Sequence, residues 1–444
     1  MTALRGIGGL RRTAAAALGV RARRPSMMAA LLAATFAVSG SKPLCPPRED
    51  SPYVRQIKIT GNNRTRERAL LREMRLRPGE TTCEPAERSD EKRLLDLGLF
   101  SNVEIKTEAV SPESVDVLVH VRERPTFLPI PELGYSAEDG TTFGLTIRES
   151  NFLGDAQRLG ASALFGGRES LSISWSLPWF GYLHMGLFAS AYDTQWEDRI
   201  EHLRERRHGV RAGLNRYFDG YRYSLGVDAK VEDIDSDPTA AADSSDVARH
   251  DTERMLAVGA GYDTRDFRTN PHNGFAVAAR YEQYGSWLGG DVTMNRTSLS
   301  AAVFLPAAET VTLALGVQGA FSGGSIPDYE RLRLGGNETV RGFSEGHETG
   351  ESRAWGTVEL RFPVFKKRTF ELPILDNFDI SGDGAVFGDL GVIWERSGAS
   401  DAGLMAGIGV GIRLFMPLAG VSRTDVALGS ERRLLVRGSG RMKF

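Results

Sequence analysis

Metal ligands and catalytic motifs are scarce in this sequence. Its 444 residues include two cysteines and seven histidines, which are scattered without the spacing of a zinc site. The sequence also lacks a P-loop, a G-x-S-x-G elbow and an H-E-x-x-H pair. We therefore expect no metal, no other cofactor and no enzymatic activity.

Net charge and long apolar segments are missing as well. The formal net charge is −2, and a near-zero balance argues against nucleic acid as a partner. The clearest apolar stretch, MMAALLAATFAVSG at 27–40, is too short and too rich in alanine for a membrane helix. A helical membrane protein and a nucleic-acid-binding protein are both disfavoured.

The N-terminal segment has the pattern of an export signal. Arginines precede the apolar stretch, small residues follow it, and the first acidic residue is Glu49. We expect residues 1–41 to be the signal, cleaved near Ser39–Ser41, and residues 42–51 to be a linker. A transit peptide for an organelle is the alternative interpretation of this arginine-rich leader.

Export would bring both cysteines into an oxidising compartment. Cys45 and Cys83 are therefore the candidate pair for a disulfide. The sequence KPLC lacks the small residue usually found just before a lipidated cysteine, so we expect no lipid anchor.

Residues 52–124 predict a small α+β domain with the order β-α-α-β-β. Helices are expected over 66–76, capped by Asn62 or Thr65, and over 86–100. The apolar side of the second helix is expected to comprise Leu94, Leu95, Leu97 and Phe100. The last strand alternates, with Val115, Val117, Val119 and Val121 on one face.

This order resembles a POTRA domain, and the segment GLFSNVEIK carries most of the likeness. Any small α+β domain with the same order of elements is the alternative. A POTRA-like sheet has an exposed edge, to which an extended peptide can add as a further strand.

The remaining residues, 126–444, alternate with a period of two. In LMAGIGVGIRLFM, apolar side chains face one way and glycines and Arg413 the other. A soluble sandwich would also alternate. A transmembrane antiparallel β-barrel is favoured, because an exported chain without an apolar helix can cross a bilayer only as a closed barrel. Its length predicts about 16 strands. Aromatic residues near strand ends suit an interfacial girdle, among them Trp175, Trp179, Tyr217, Tyr221 and Tyr223.

Several segments of this region, in order, resemble the BamA/TamA superfamily of outer-membrane barrels. NFLGDAQRLG (151–160) is similar to the first hairpin of that family, and DTRDFRTNPHNG (263–274) to a later one. The other similar segments are LPWF (177–180), VRGF (340–343), FGDLGVIW (387–394) and GVSRTDVAL (420–428).

The resemblance implies that VRGF is the tip of a loop folded back into the barrel, where Arg341 meets acidic groups. Alternation places Glu359 and Asp389 on the inward face, so the arginine could satisfy both carboxylates. Gly342 would allow close approach of the backbone, and Phe343 would pack against the wall. Separate hydration of the three charged groups is the alternative.

The two ends of the barrel region are expected to form a weak seam. The last strand is expected near 433–444, and its terminal Phe444 resembles the signal by which such barrels are themselves recognised for assembly. The first strand is expected near 132–148. Both contain glycines, which pack poorly in strands, although glycines also suit a crowded inner wall.

The resemblance implies an outer-membrane insertase or translocase with its POTRA-like domain in the periplasm. Expected partners are unfolded outer-membrane or secreted client polypeptides, membrane lipid and periplasmic accessory proteins. A pore that secretes a partner polypeptide through the lumen is the main alternative. A barrel enzyme and a passive porin are less consistent with the missing catalytic motifs and with the additional domain.

Overall fold

The computed structural model describes most of the chain after residue 50. The described residues are 51–136, 140–180, 185–198, 203–219, 222–239, 247–267, 270–372, 375–396, 398–416, 420–430 and 434–439. The expected signal, Cys45 and Phe444 lie outside the described residues.

The small domain is a three-stranded sheet with two helices. The strand order is β1-β3-β2, with β1 parallel to β3 and β2 antiparallel to it. The elements are β1 Tyr53–Thr60, α1 Glu67–Glu73, α2 Glu84–Asp96, β2 Phe100–Ser111 and β3 Ser114–Glu123. The predicted order β-α-α-β-β is confirmed.

Alternation in β3 places its valines in the core of this domain. Val115, Val117, Val119 and Val121 are each at most 7% exposed, as predicted. Their partners in the core include Leu70 of α1 and Leu94 of α2. Burial of these aliphatic side chains is the main contribution that holds the helices on the sheet.

The end of α2 differs from the sequence prediction. The helix ends at Asp96, and Phe100 begins β2 instead of continuing the helix. Gly98 explains the difference, because its φ of 73° lies in the left-handed region that terminates helices. Leu95, predicted to be buried, is 40% exposed.

The start of α1 also differs. Neither Asn62 nor Thr65 caps the helix, since the residue before it is Arg66 and no side chain caps it. The Thr65 hydroxyl accepts a hydrogen bond from the Asn151 side chain at 2.9 Å instead. The hydroxyl that the sequence predicted as a helix cap is therefore used in a tertiary hydrogen bond.

The large domain is an antiparallel β-barrel whose sheet contains 16 strands, as predicted. The strands are β4 Phe127–Ser136, β5 Gly140–Phe152, β6 Gln157–Gly166, β7 Arg168–Leu177, β8 Met185–Asp198, β9 Leu203–Phe218, β10 Tyr223–Pro238, β11 Arg249–Asp263, β12 Gly274–Tyr284, β13 Met294–Ala308, β14 Val311–Gly324, β17 Ser352–Leu372, β18 Leu375–Glu395, β19 Gly398–Met416, β20 Gly420–Gly429 and β21 Leu434–Ser439. Strands β15 Leu332–Leu334 and β16 Glu348–Gly350 form a separate pair. Two short 3₁₀ segments are Ser286–Leu288 and Asp328–Glu330. No helix in the described segments is long and apolar enough to cross a membrane.

The barrel wall has an apolar outer face and a charged inner face. In β17, Val358 and Leu360 are 53% and 40% exposed, whereas Glu359 between them is 1% exposed. In β18, Leu390 is 55% exposed and the adjacent Asp389 is buried. This alternation, predicted from the sequence, gives lipid an apolar surface and places charge in the lumen.

The first strands differ from the prediction in position. Residues 132–148, expected to be one strand, fall in two strands, β4 and β5, which pair with each other in antiparallel fashion. As a sequence, the Asp-Gly at 139–140 is typical of a turn. The segment 151–160, expected to be the first hairpin, therefore connects the second and third strands, β5 and β6.

Strands β4 and β21 stand at the two ends of the strand order. Among the described residues, which for β21 are Leu434–Ser439, no pairing between these two strands is present. Strand β21 pairs with β20 from Arg423 opposite Ser439 to Leu428 opposite Leu434.

Candidate functional site

The connection from β14 to β17 folds back against the inner wall of the barrel. We call residues 325–351 the inward loop. Strands β15 and β16 pair within it, with Leu332 opposite Gly350, and residues 335–347 form its tip. Apolar side chains of the tip and the wall form one buried cluster: Leu334, Val340, Phe343, Trp355, Ile393 and Met405.

Arg341 at the tip is 1% exposed and contacts three carboxylates. Its Nε and Nη2 donate to the two oxygens of Asp389 at 2.7 and 2.9 Å, and its backbone N–H donates to the same group at 3.0 Å. Its Nη1 lies 3.1 Å from Glu359 and 3.2 Å from Asp425. The guanidinium carbon lies 3.2 Å from the ring centroid of Phe387. This geometry uses the planar fork of arginine, which lysine could not reproduce.

Three further arginines complete the network. Arg413 donates to Asp425 at 2.6 Å and to Glu359 at 2.9 Å. Arg361 donates to Glu359 at 2.8 Å, and Arg423 lies 3.1 Å from Asp425. Glu359 and Asp425 thus each contact several cations.

Charges in this cluster balance with the loop in place as well as without it. The wall contributes three buried arginines and three buried carboxylates. The loop adds one cation, Arg341, and one anion, Glu338. Glu338 is half-exposed and lies 3.2 Å from Arg423. Within the described part of the chain, no group of three or more His, Cys, Asp or Glu side chains could hold a metal ion.

Glycines let the tip lie directly on β19 and β20. Gly342 has a φ of 93°, and a Cβ there would lie 2.4 Å from the Gly429 nitrogen. A Cβ on Gly407 would lie 1.9 Å from the Arg341 carbonyl oxygen. Backbone contacts this close exclude any larger residue unless the loop moves.

The structure brings the sequence-predicted residues together. Arg341 contacts both Glu359 and Asp389, Gly342 rests on β20, and Phe343 is 4% exposed in the apolar cluster. Their functional role stays a prediction.

Sequence reasoning missed four of the seven buried charged residues of this network, Arg361, Arg413, Arg423 and Asp425. Alternation had already placed Arg361 and Arg413 on the inward face, and the segment GVSRTDVAL contains Arg423 and Asp425. The signal was present, but nothing in the sequence indicated which inward charges meet.

A second candidate site lies where the small domain meets the barrel. Asp155, in the turn between β5 and β6, accepts hydrogen bonds from Arg68 at 2.6 Å and Arg66 at 3.0 Å. Arg72 of the same helical region donates to the Asp155 carbonyl. The hydrogen bond from Arg68, opposed by partial burial, lowers the pKa of the Asp155 carboxyl.

The turn that carries Asp155 has an uncommon backbone. Leu153 and Ala156 are not glycines, yet have φ values of 58° and 57°. Such conformations are costly and persist where surrounding contacts enforce them. Ala156 is buried in the core of the small domain, and the Gly154 carbonyl accepts the Arg66 N–H at 2.8 Å. The turn is thus shaped by the domain that docks on it.

Two further contacts extend this junction along the rim. Trp179, expected at the membrane interface, donates to Glu73 and lies 6.0 Å below the Arg72 guanidinium. Lys92 of α2 lies 5.2 Å from the ring centroid of Phe267. The small domain therefore contacts the connections that follow β5, β7 and β11.

Both domains match known families. Residues 52–124 match the surface antigen variable number repeat, a POTRA repeat, and residues 151–432 match the Omp85 superfamily domain. The chain belongs to the Omp85 superfamily. The inward loop and its contacts on β17, β18 and β20 all lie within the matched range of this Omp85 protein.

Named relatives agree with this assignment. The outer membrane protein assembly factor BamA of Neisseria meningitidis serogroup B is 25% identical over 390 residues, 77% of this chain and 47% of the relative. The Omp85 chain thus spans about half the length of that relative.

Solved structures show the same fold. BamA from Haemophilus ducreyi lacking POTRA domains 1–3 has a TM-score of 0.61 at 17% identity, covering 87% of this chain and 84% of that one. CdiB from Escherichia coli has a TM-score of 0.61 at 15% identity, covering 88% and 75%.

The Omp85 chain is an integral protein of the outer membrane, and its POTRA domain lies in the periplasm. The family consists of insertases and transporters, and no catalytic function is indicated.

Proposed function

We propose that this Omp85 protein assembles β-barrel proteins into the outer membrane. The observation that carries the proposal is a docked POTRA domain beside a barrel whose end strands, β4 and β21, show no pairing among the described residues. The likeness to an outer membrane protein assembly factor over 77% of the chain supports the same function.

The POTRA domain would receive an unfolded client by strand addition. Its strand β2 stands at one edge of the small sheet, and the second half of β2, from Lys106 to Ser111, is exposed. Main-chain hydrogen bonds to such an edge depend little on the side chains of the client, which suits a receptor for many sequences.

The seam between β4 and β21 would then open sideways. A client strand that pairs with a free edge keeps its backbone groups satisfied while it enters lipid. No covalent bond is made or broken, and burial of the client's apolar surface supplies the free energy. Outer-membrane clients, lipid and periplasmic accessory proteins are the partners we propose. Residues 1–41 would be the export signal and residues 42–51 a linker to the POTRA domain.

A cysteine cross-link tests the proposal. One cysteine in β4 and one in β21, placed to meet disulfide geometry, would close the seam. The oxidised protein should fail to maintain other barrels in cells depleted of the native protein, and reductant should restore them. A protein with a closed seam that still supports assembly of other barrels would exclude lateral opening.

A pore that secretes a partner polypeptide is the second candidate. The fold likeness to CdiB favours it. The inward loop contacts the inner wall at β9, β11 and β13 and again at β17, β18 and β20, so it would first have to leave the path of the polypeptide. A secreted partner that disappears from the medium on depletion, with other barrels unchanged, would favour this function.

A further inference from the structure

The inward loop touches the wall in a second region, remote from Arg341. Its 3₁₀ segment, Asp328–Glu330, contacts β9, β11 and β13, whereas Arg341 contacts β17, β18 and β20. In the strand order β14 separates the two sets of strands, so the contacts lie on different arcs of the wall.

Glu330 is held by two arginines from different strands. Arg207 of β9 donates to its Oε1 at 2.8 Å, and Arg296 of β13 lies 3.2 Å from its Oε2. Arg296 also donates to the Glu330 carbonyl at 2.5 Å. Glu330 is 8% exposed, so these charge-assisted contacts are largely shielded from water.

Tyr329 fixes the same segment through its ring, hydroxyl and carbonyl. The hydroxyl donates to Asp251 of β11 at 2.5 Å, and Arg207 donates to the Tyr329 carbonyl at 2.8 Å. The ring is buried in an apolar cluster formed by Ile234, Met255, Ala257, Tyr284, Val292 and Met294.

We infer that Tyr329 and Glu330 form a second anchor of the inward loop, independent of Arg341. Among the described residues, no wall residue that hydrogen-bonds or pairs with Tyr329 or Glu330 does the same with Arg341. Groups without shared partners act nearly additively. Release of Arg341 therefore leaves the loop attached to the wall through Tyr329 and Glu330. Complete release requires both anchors to be broken. This inference concerns the resting barrel and does not depend on the proposed function.

Hydrogen–deuterium exchange of the purified full-length chain tests it. Arg341→Ala should raise exchange about tenfold or more in peptides from 337–346, the change expected from losing charge-assisted hydrogen bonds, and leave 327–333 within about twofold. Glu330→Gln, or the milder Tyr329→Phe, should do the reverse. The double variant of Arg341 and Glu330 should raise exchange across both peptides.

Two controls keep the result interpretable. Glu309→Gln makes the same chemical change at an exposed glutamate between β13 and β14 and should leave both peptides unchanged. Peptides from β10 must exchange as in the parent, which shows that each barrel is folded. Equal release of both peptides by Arg341→Ala alone would overturn the inference, as would unchanged exchange of 327–333 in both Tyr329→Phe and Glu330→Gln.

Discussion

Replacement of Arg341 by alanine should free the tip of the inward loop while the barrel remains folded. Glu359 and Asp425 keep Arg413 after the change, but Asp389 loses two side-chain hydrogen bonds from one guanidinium and keeps the Thr357 hydroxyl at 2.8 Å. Removal of one partner of a buried ion pair costs about 3–5 kcal/mol. This free energy should be lost from the docked state of the tip, since the barrel strands keep their own ladders.

The assay is heat-modifiability of the purified protein in detergent gels, read beside rescue of depleted cells. Arg341→Ala should lower the temperature at which the compact band disappears and should lose rescue. Arg341→Lys keeps the charge without the paired hydrogen bonds and should be nearly as defective. Arg396→Ala is the matched control, because Arg396 is 57% exposed and lies 3.9 Å from Glu351, a surface pair worth about 0–1 kcal/mol.

A second substitution distinguishes the loss of the Arg341 hydrogen bonds from the cost of leaving the Asp389 carboxylate buried without a counter-charge. Asp389→Asn, introduced together with Arg341→Ala, retains an acceptor for the backbone N–H of residue 341 and removes the uncompensated charge. It should restore about 0.5–3 kcal/mol, the usual coupling between contacting residues. A charge swap should not rescue, because an aspartate at position 341 would face Glu359 and Asp425. Parent-like heat resistance and rescue in Arg341→Ala would refute the reasoning.

Three further predictions concern other parts of the molecule. Gly407→Ala should displace the tip of the inward loop and so resemble Arg341→Ala in the same gel assay, because overpacking typically costs about 1–3 kcal/mol of stability. Gly388→Ala is the control and should have no effect, because its Cβ would be 4.0 Å from the nearest neighbouring atom. Asp155→Ala should loosen the POTRA domain from the barrel, seen as faster proteolysis at the junction. The folded-state pKa of Asp155 is lowered, so its contribution to the stability of the junction is present above the unfolded pKa of about 3.9 and is lost as pH falls through the lower folded value. The junction of the parent should therefore loosen only in acid, and the variant should show no such pH-dependent step. Thiol labelling of the denatured, unreduced mature protein should find neither Cys45 nor Cys83 reactive, and two reactive thiols would exclude the disulfide.

The buried charges of the lumen are better explained as fixing the position of the inward loop than as adding to its stability. Apolar residues of similar volume often replace buried ion pairs without loss of stability. Here seven fully buried charged side chains form one network, and the eighth charge, on Glu338, is half-exposed. Mismatched positions of the loop would leave carboxylates of the wall without their partner, so the network selects one docked position.

The sequence by itself determined the local features of this protein. Period-two alternation was enough to assign Glu359 and Asp389 to the lumen and Val358 and Leu390 to lipid, because successive side chains on a strand point to opposite faces. The β-α-α-β-β order of the POTRA domain followed in the same way from apolar spacing. The Asp-Gly of residues 139–140 is a turn signal in the sequence that would have separated β4 from β5.

Only the tertiary structure decided which distant groups meet. Arg341 reaches Asp425, 84 positions along the chain, and Arg68 reaches Asp155, 87 positions along. Such pairs depend on the register of every intervening strand, since a shift of one residue would turn the inward charges outward. The same dependence explains why the Thr65 hydroxyl bonds Asn151 instead of capping α1, and why Glu330 pairs with Arg207 and Arg296. The arrangement of the strands in space brings these residues together, and local sequence does not predict such contacts.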